Sequence, residues 1–270
     1  MGKRTSYEPG TFSWIELSTT DTEGAKQFYG KLFGWESEDN PIPADAGGGV
    51  YTMLRLGGET VAALYEQLKD QRDAGIPPNW FSYITVADAD AASARAKELG
   101  GSIHAGPFDV MTQGRMAVIA DPTGAVFGVW QARDSIGATL VNDPGCLTSN
   151  ELATNDVEAA SAFYSGLLGW RVAEVDTQGG PRYWTIAHDG AAEGRNGGMR
   201  ELAPQQADAG VPPHWMPYFT AASVDEAITT TQGADGTLHA GPIEIPAGRI
   251  AVLSDPQGAF FAIFEGEVDD

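Results

Sequence analysis

The feature that most constrains this chain is that it says nearly the same thing twice. FYGKLFGW at Phe28–Trp35 returns as FYSGLLGW at Phe163–Trp170, an offset of 135 residues. GIPPNW at Gly75 returns as GVPPHW at Gly210, and HAGP at His104 returns at His239, both at the same offset. GRMAVIADP at Gly114 returns as GRIAVLSDP at Gly248, one position short. Collinear matches over most of a chain mean one structural unit built twice. The expected organisation is an N-terminal tail (1–10), a first domain (11–132), a linker RDSIGATLVNDPG (133–145), a second domain (146–266) and a short C-terminal tail (267–270).

Each unit has a readable order of elements. FSWIELSTT is a strand. Asp21 is placed to cap a helix whose Ala25, Phe28, Tyr29, Leu32 and Phe33 fall on one face, and Gly34 suits the left-handed residue that ends it. Asp156, Phe163, Tyr164 and Gly169 repeat this pattern. VYTMLRL and TVAALYE follow as strands. Then the pattern restarts: WFSYITV, an Ala-rich helix in DADAASARAKELG, and the strands SIHAGPFDV, GRMAVIA and AVFGVWQ. Each half therefore reads β-α-β-β-β twice, an α+β fold. The helix aromatics sit on the periodic face and belong to a core.

Composition narrows the function. The net charge is −21. Such a surface repels phosphate backbones and anionic lipid, so neither nucleic acid nor a membrane is an expected partner. No apolar run reaches the length of a membrane helix, and MGKRTSYEPGTF lacks the apolar core of a signal peptide. Its Met-Gly-x-x-x-Ser pattern is too short to argue for myristoylation. A cytoplasmic location is the expectation. The single cysteine, Cys146, excludes an internal disulfide and any multi-cysteine metal site. Its setting before a strand suits a small packing residue better than a nucleophile.

The strand–Asp–helix unit with FY…LLGW (FY…LFGW in the first copy) and the GR.AV..DP.G strand pair, each present twice, resemble the glyoxalase / bleomycin-resistance / extradiol-dioxygenase superfamily, also called vicinal oxygen chelate. More narrowly, the chain resembles tandem actinobacterial members of the superfamily, some of them assigned as hydroxylases near antibiotic clusters. The resemblance implies tandem glyoxalase-like domains, each of two βαβββ modules whose curled mixed sheets enclose a cleft. In catalytic members His, Glu or Gln side chains hold a divalent metal there.

The positions that the resemblance assigns to metal ligands are Trp14, Ala63, Phe81 and Gly128 in the first half. In the second they are Ser149, Gly198, Met216 and Ala262. Only Ser149 is polar, and a transition-metal site needs imidazole, carboxylate or thiolate donors from several strands. A one-residue slip would turn each side chain to the other face. The expectation is no metal and no other cofactor. His104 and His239 lie in separate halves, at a Gly-Pro bend. His188 occurs in one half only.

Strand alternation places Glu16 beside Trp14, and Glu151 beside Ser149, on the cleft face. These carboxylates are the candidate acid/base groups, with His214 (in place of Asn79) as a third. Burial among aromatics raises a carboxyl pKa. The competing reading pairs each Glu with backbone or with Arg115 or Arg249. The expected ligand-contacting residues are Trp14, Trp80, Phe81, Tyr83 and Trp130, then Ser149, Trp184, Trp215, Met216 and Tyr218. They suit a small, mainly apolar, flat molecule. The Gly/Pro-rich PIPADAGGG and DTQGGPR are candidate lids. GGG at 47–49 opens no helix and is no phosphate cradle. Three functions stay open: a metal-independent protein that binds or converts such a molecule, hydroxylase-like, in secondary metabolism; a sequestering resistance protein; and a metal-dependent lyase or dioxygenase. Either a monomer or a homodimer fits.

Overall fold

A computed structural model describes residues 2–44, 48–177, 179–188 and 195–268. The first half contains β1 (Phe12–Thr19), α1 (Thr22–Phe33), β2 (Glu36–Pro41), β3 (Val50–Leu56) and β4 (Glu59–Glu66). A short α2 (Lys69–Asp73) leads into β5 (Asn79–Thr85), α3 (Ala89–Glu98), β6 (Ser102–Val110), β7 (Gly114–Ala120) and β8 (Val126–Ala132). The second half repeats this as β9 (Leu147–Thr154), α4 (Val157–Leu168), β10 (Trp170–Val175), β11 (Tyr183–His188) and β12 (Arg195–Glu201). Then come α5 (Pro204–Asp208), β13 (His214–Thr220), α6 (Val224–Gln232), β14 (Thr237–Ile245), β15 (Gly248–Ser254) and β16 (Phe260–Gly266).

Each half forms one eight-stranded mixed sheet. The orders are β2-β3-β4-β1-β5-β8-β7-β6 and β10-β11-β12-β9-β13-β16-β15-β14. The two βαβββ modules of a half meet along antiparallel β1–β5 or β9–β13. The expected caps are present: Asp21 and Asp156 each accept a backbone N–H of the first turn, and Gly34 and Gly169 close their helices with positive φ (74° and 71°).

The apolar cores are not confined to the halves. One cluster joins Ile15, Leu17, Phe28, Tyr29 and Trp35 to Phe219, Val224, Leu253 and Phe261. Its counterpart joins Ile84, Ile119 and Phe127 to Leu152, Phe163, Tyr164, Trp170 and Ile186. The sheets thus pack through their helix-bearing faces: α1 meets α6, α3 meets α4, and β5 lies directly against β13. Ser82 Oγ donates to Asn150 Oδ1 across this centre (2.6 Å).

The repeated motifs converge on these cores. Tyr29 of FYGKLFGW donates its hydroxyl to Asp255 of the second half's DPQG turn (3.0 Å) and accepts from Trp80 Nε1 (3.0 Å). Asp255 also accepts backbone N–H groups of Gln257 and Ala259, so it holds its own turn and a tyrosine from the other half. Burial pushes its carboxyl up from the ordinary range. In the mirror arrangement Tyr164 accepts from Trp215 Nε1 (2.8 Å) and lies beside the buried Asp121 of DPTG.

The segments outside the sheets are pinned as well. Residue 139 of the interdomain stretch bonds to Thr60, and Gly10 O accepts from Trp170 Nε1 and Asn196 Nδ2, both at 2.7 Å. Cys146 is fully buried and its thiol is pushed up to about 12 by that burial, as fits a packing residue. No helix among the described residues is long and apolar enough to cross a membrane.

Tyr29→Phe would leave both Asp255 Oδ2 and Trp80 Nε1 buried without this partner. Each orphaned group costs on the order of 1–3 kcal/mol. Urea unfolding of Tyr29→Phe is expected to show a loss of at least about 2 kcal/mol, and a loss under about 0.5 kcal/mol would contradict the role given to this contact.

Candidate functional site

The face of each sheet opposite the helices is the one that the family resemblance makes the cleft face, and strand alternation decides who lines it. On β1, Ile15 and Leu17 turn to the core, while Trp14 and Glu16 turn to the cleft. The β1–β5 register sets Trp14 beside Tyr83, and Glu16 beside Phe81. The same rule corrects three of the expected ligand contacts. Trp80, Trp184 and Trp215 are 4%, 8% and 6% exposed and lie in the shared cores. Trp80 neighbours Phe81 in sequence and so must face the other way, and Trp215 stands likewise to Met216. The outer surface of Trp184 is covered by the Arg182 guanidinium, 4.6 Å from the ring.

The first cleft is organised around Glu16. Tyr83 donates its hydroxyl to Glu16 Oε1 (2.7 Å) and Tyr51 donates to Oε2 (2.8 Å). Trp14 Nε1 in turn donates to the Tyr51 oxygen (3.0 Å). Burial raises the Glu16 pKa, and the two phenol hydrogen bonds oppose that rise without cancelling it. Phe81 meets Tyr83 edge to face at 5.0 Å. Trp130 is half-buried beside Met116 on the same face, its Nε1 bonded to Ser135 O (2.9 Å).

The second cleft has a different centre. Glu151 accepts from Arg200 Nε (2.7 Å) and from the Tyr218 hydroxyl (3.0 Å). Arg200 is held further by Gln206 Oε1 (3.0 Å). Met216 pairs in register with Glu151, and Tyr218 with Ser149, which is half-buried. Met216, Tyr218 and Ala262 form a small apolar patch with Ile250, Val252 and Phe264. His214 stands at the end of this strand, its Nδ1 2.9 Å from Pro212 O, and burial lowers its pKa, which favours the neutral ring.

Tyr51, Tyr65, Tyr183 and Arg200 escaped the sequence reading. The signal was present for three of them. Tyr51 alternates with Met53 in VYTMLRL, and Arg200 is the repeat counterpart of Tyr65. Their strands had no anchoring motif from which to count. Arg115 and Arg249 pair instead with Asp90 and Asp225 at the starts of α3 and α6. His104 and His239 are exposed, the latter stacked on Phe260. The candidate lid residues 45–47 and 178 lie outside the described residues.

The positions where related enzymes would carry metal ligands do not form a ligand set. A side chain on Gly128 would run into the Tyr83 ring, and one on Gly198 into the Tyr183 hydroxyl. At these two positions a tyrosine occupies the space that a metal-binding side chain would need. Among the described residues, no three His, Cys, Asp or Glu side chains gather as a metal-holding group.

Two eight-stranded βαβββ sheets, each with a carboxylate-centred cleft, define a tandem glyoxalase-fold protein. The chain belongs to the Glyoxalase/Bleomycin resistance protein/Dioxygenase superfamily, whose model matches residues 11–129 and 147–263. It is 42% identical over 266 residues to "Putative glyoxylase CFP32" of Mycobacterium tuberculosis, covering 98% of both chains. It is 34% identical over 274 residues to "Anthracycline biosynthesis protein DnrV" of Streptomyces peucetius, covering 97% of this chain and 95% of the relative. The fold is similar to that of the Mn(II)-bound glyoxalase from Novosphingobium aromaticivorans, with TM-score 0.66 and 15% identity over 100% of this chain and 85% of that one.

The Glu16 environment has a pH signature. A carboxyl whose folded pKa lies above its ordinary value of 4.5 contributes stability that is fully present below that value and lost as pH rises through the folded pKa. Glu16→Gln removes this dependence. The stability of the variant relative to wild type is expected to improve in urea unfolding as pH rises above 4.5. A pH-independent difference would contradict the assignment.

Proposed function

We propose that each curled sheet takes up a small, largely apolar organic molecule, and that the protein does so without the divalent metal of its superfamily. The observation that carries this reading is the Glu16–Tyr51–Tyr83 cluster, framed by Trp14 and Phe81, on the strands to which the family resemblance assigns metal ligands. The aromatic walls supply contact area, and a single carboxylate supplies a directed polar anchor. The relative named for anthracycline biosynthesis supports a polycyclic aromatic ligand in secondary metabolism, and the one named as a glyoxylase supports small-molecule chemistry.

Where the bound molecule is converted, in a hydroxylase-like or lyase-like step, Glu16 is the acid/base group of the first cleft. It holds a proton more readily than an exposed carboxyl, and its ionised form keeps one lone pair on each oxygen beyond the two phenol hydrogen bonds. Tyr51 and Tyr83 keep it oriented. In the second cleft Arg200 holds Glu151, which favours an anchoring role there, with His214 at the rim. The sequestering function is the second reading, supported by the same engagement of Glu151.

Three measurements test this. Elemental analysis of purified protein is expected to find less than one zinc, nickel, manganese or iron ion per chain, and a stoichiometric ion would overturn the metal-independent reading. Mass spectrometry of the protein as purified is expected to release a planar organic molecule. With that molecule as substrate, Glu16→Gln is expected to lower turnover about a hundredfold or more. Binding with no turnover in wild type would select the sequestering function instead.

A further inference from the structure

Tyr65 and Arg200 occupy the same position in the two copies, 135 residues apart, and they leave the two cleft carboxylates in different electrostatic states. Arg200 neutralises Glu151 where it stands. Glu16 receives phenol hydrogen bonds only, and phenols bring no charge. Among the described residues, no cationic side chain forms an ion pair with Glu16. Arg55, on the neighbouring β3, is committed to Glu38 and Thr60. Arg115 is bonded to Asp90 and Asp109.

An ionised carboxylate at Glu16 has no counter-charge among the described residues, and a ligand that brings one stabilises that ionised form. The residues set around Glu16 are Trp14, Tyr51, Tyr65, Phe81 and Tyr83. Aromatic rings of this kind attract an organic cation through their negative faces. The overall charge of −21 draws cations toward the surface. Resting on the reading of this cleft as an organic-molecule site, we propose that the first cleft selects an organic ammonium ion carried on an apolar body, and that the second cleft does not.

The test uses the full chain and two probes of nearly equal shape, benzyltrimethylammonium and its uncharged isostere neopentylbenzene, followed by tryptophan fluorescence and calorimetry. Trp14 and Trp130 lie on the first cleft's face and report occupancy there. Benzyltrimethylammonium is expected to bind about tenfold more tightly or better. Glu16→Gln is expected to erase that preference while retaining affinity for the neutral probe, which also shows that the cleft is still folded. Tyr65→Arg, which imports the second cleft's cation, is expected to erase it too. Equal affinity for the two probes in wild type would overturn the ammonium inference and leave the organic-molecule reading standing. A preference that survives both substitutions would also overturn it. Binding of neither probe would overturn both.

Discussion

The hydrogen bond from Tyr29 to Asp255 is the contact around which the rest of the molecule is arranged. It joins a helix of one half to a turn of the other, in a core that excludes water. A buried carboxylate must be satisfied, and Asp255 meets this demand with its own turn's backbone on one oxygen and a distant tyrosine on the other. Tyr29 is fixed in turn by Trp80 and by stacking on Trp35 at 5.5 Å. With Tyr164, Trp215, Trp170 and Asp121 arranged alike on the other side, the helix-bearing faces close on each other and the opposite faces are left for the clefts.

This arrangement explains which motifs repeat most faithfully. FY…GW and DP.G look like functional signatures because they are the most legible features of the chain. They are the interface. The clefts, by contrast, have drifted: Trp14 corresponds to Ser149, Tyr65 to Arg200 and Asn79 to His214. A packed core tolerates little change in volume, whereas a half-open cleft tolerates new side chains as long as each polar group finds a partner.

The fold was legible because period and repetition reinforce each other. The caps, the glycine stops and the strand order all follow from local chemistry, and the second copy checks the first. The cleft was legible only in part. Counting two residues from the strand position that the family resemblance assigns puts Glu16 and Glu151 on the face opposite the core, where the structure has them. Trp80, Trp184 and Trp215 were misassigned because an indole in a strand fits either face, and only its neighbours in space decide. The Tyr51–Glu16–Tyr83 cluster could not be read directly, since it joins three strands whose mutual register no sequence motif states.

Shared cores also change what counts as a unit of this protein. Each core takes its side chains from both halves, so neither half carries a complete hydrophobic interior. The duplicated halves resemble two domains in sequence but behave as one object in packing. An exchange of one half between relatives would have to match two interiors at once, down to the tyrosine that meets the other half's aspartate. The repeat gives two faces whose side chains can differ, while the shared cores make the halves a single packing unit.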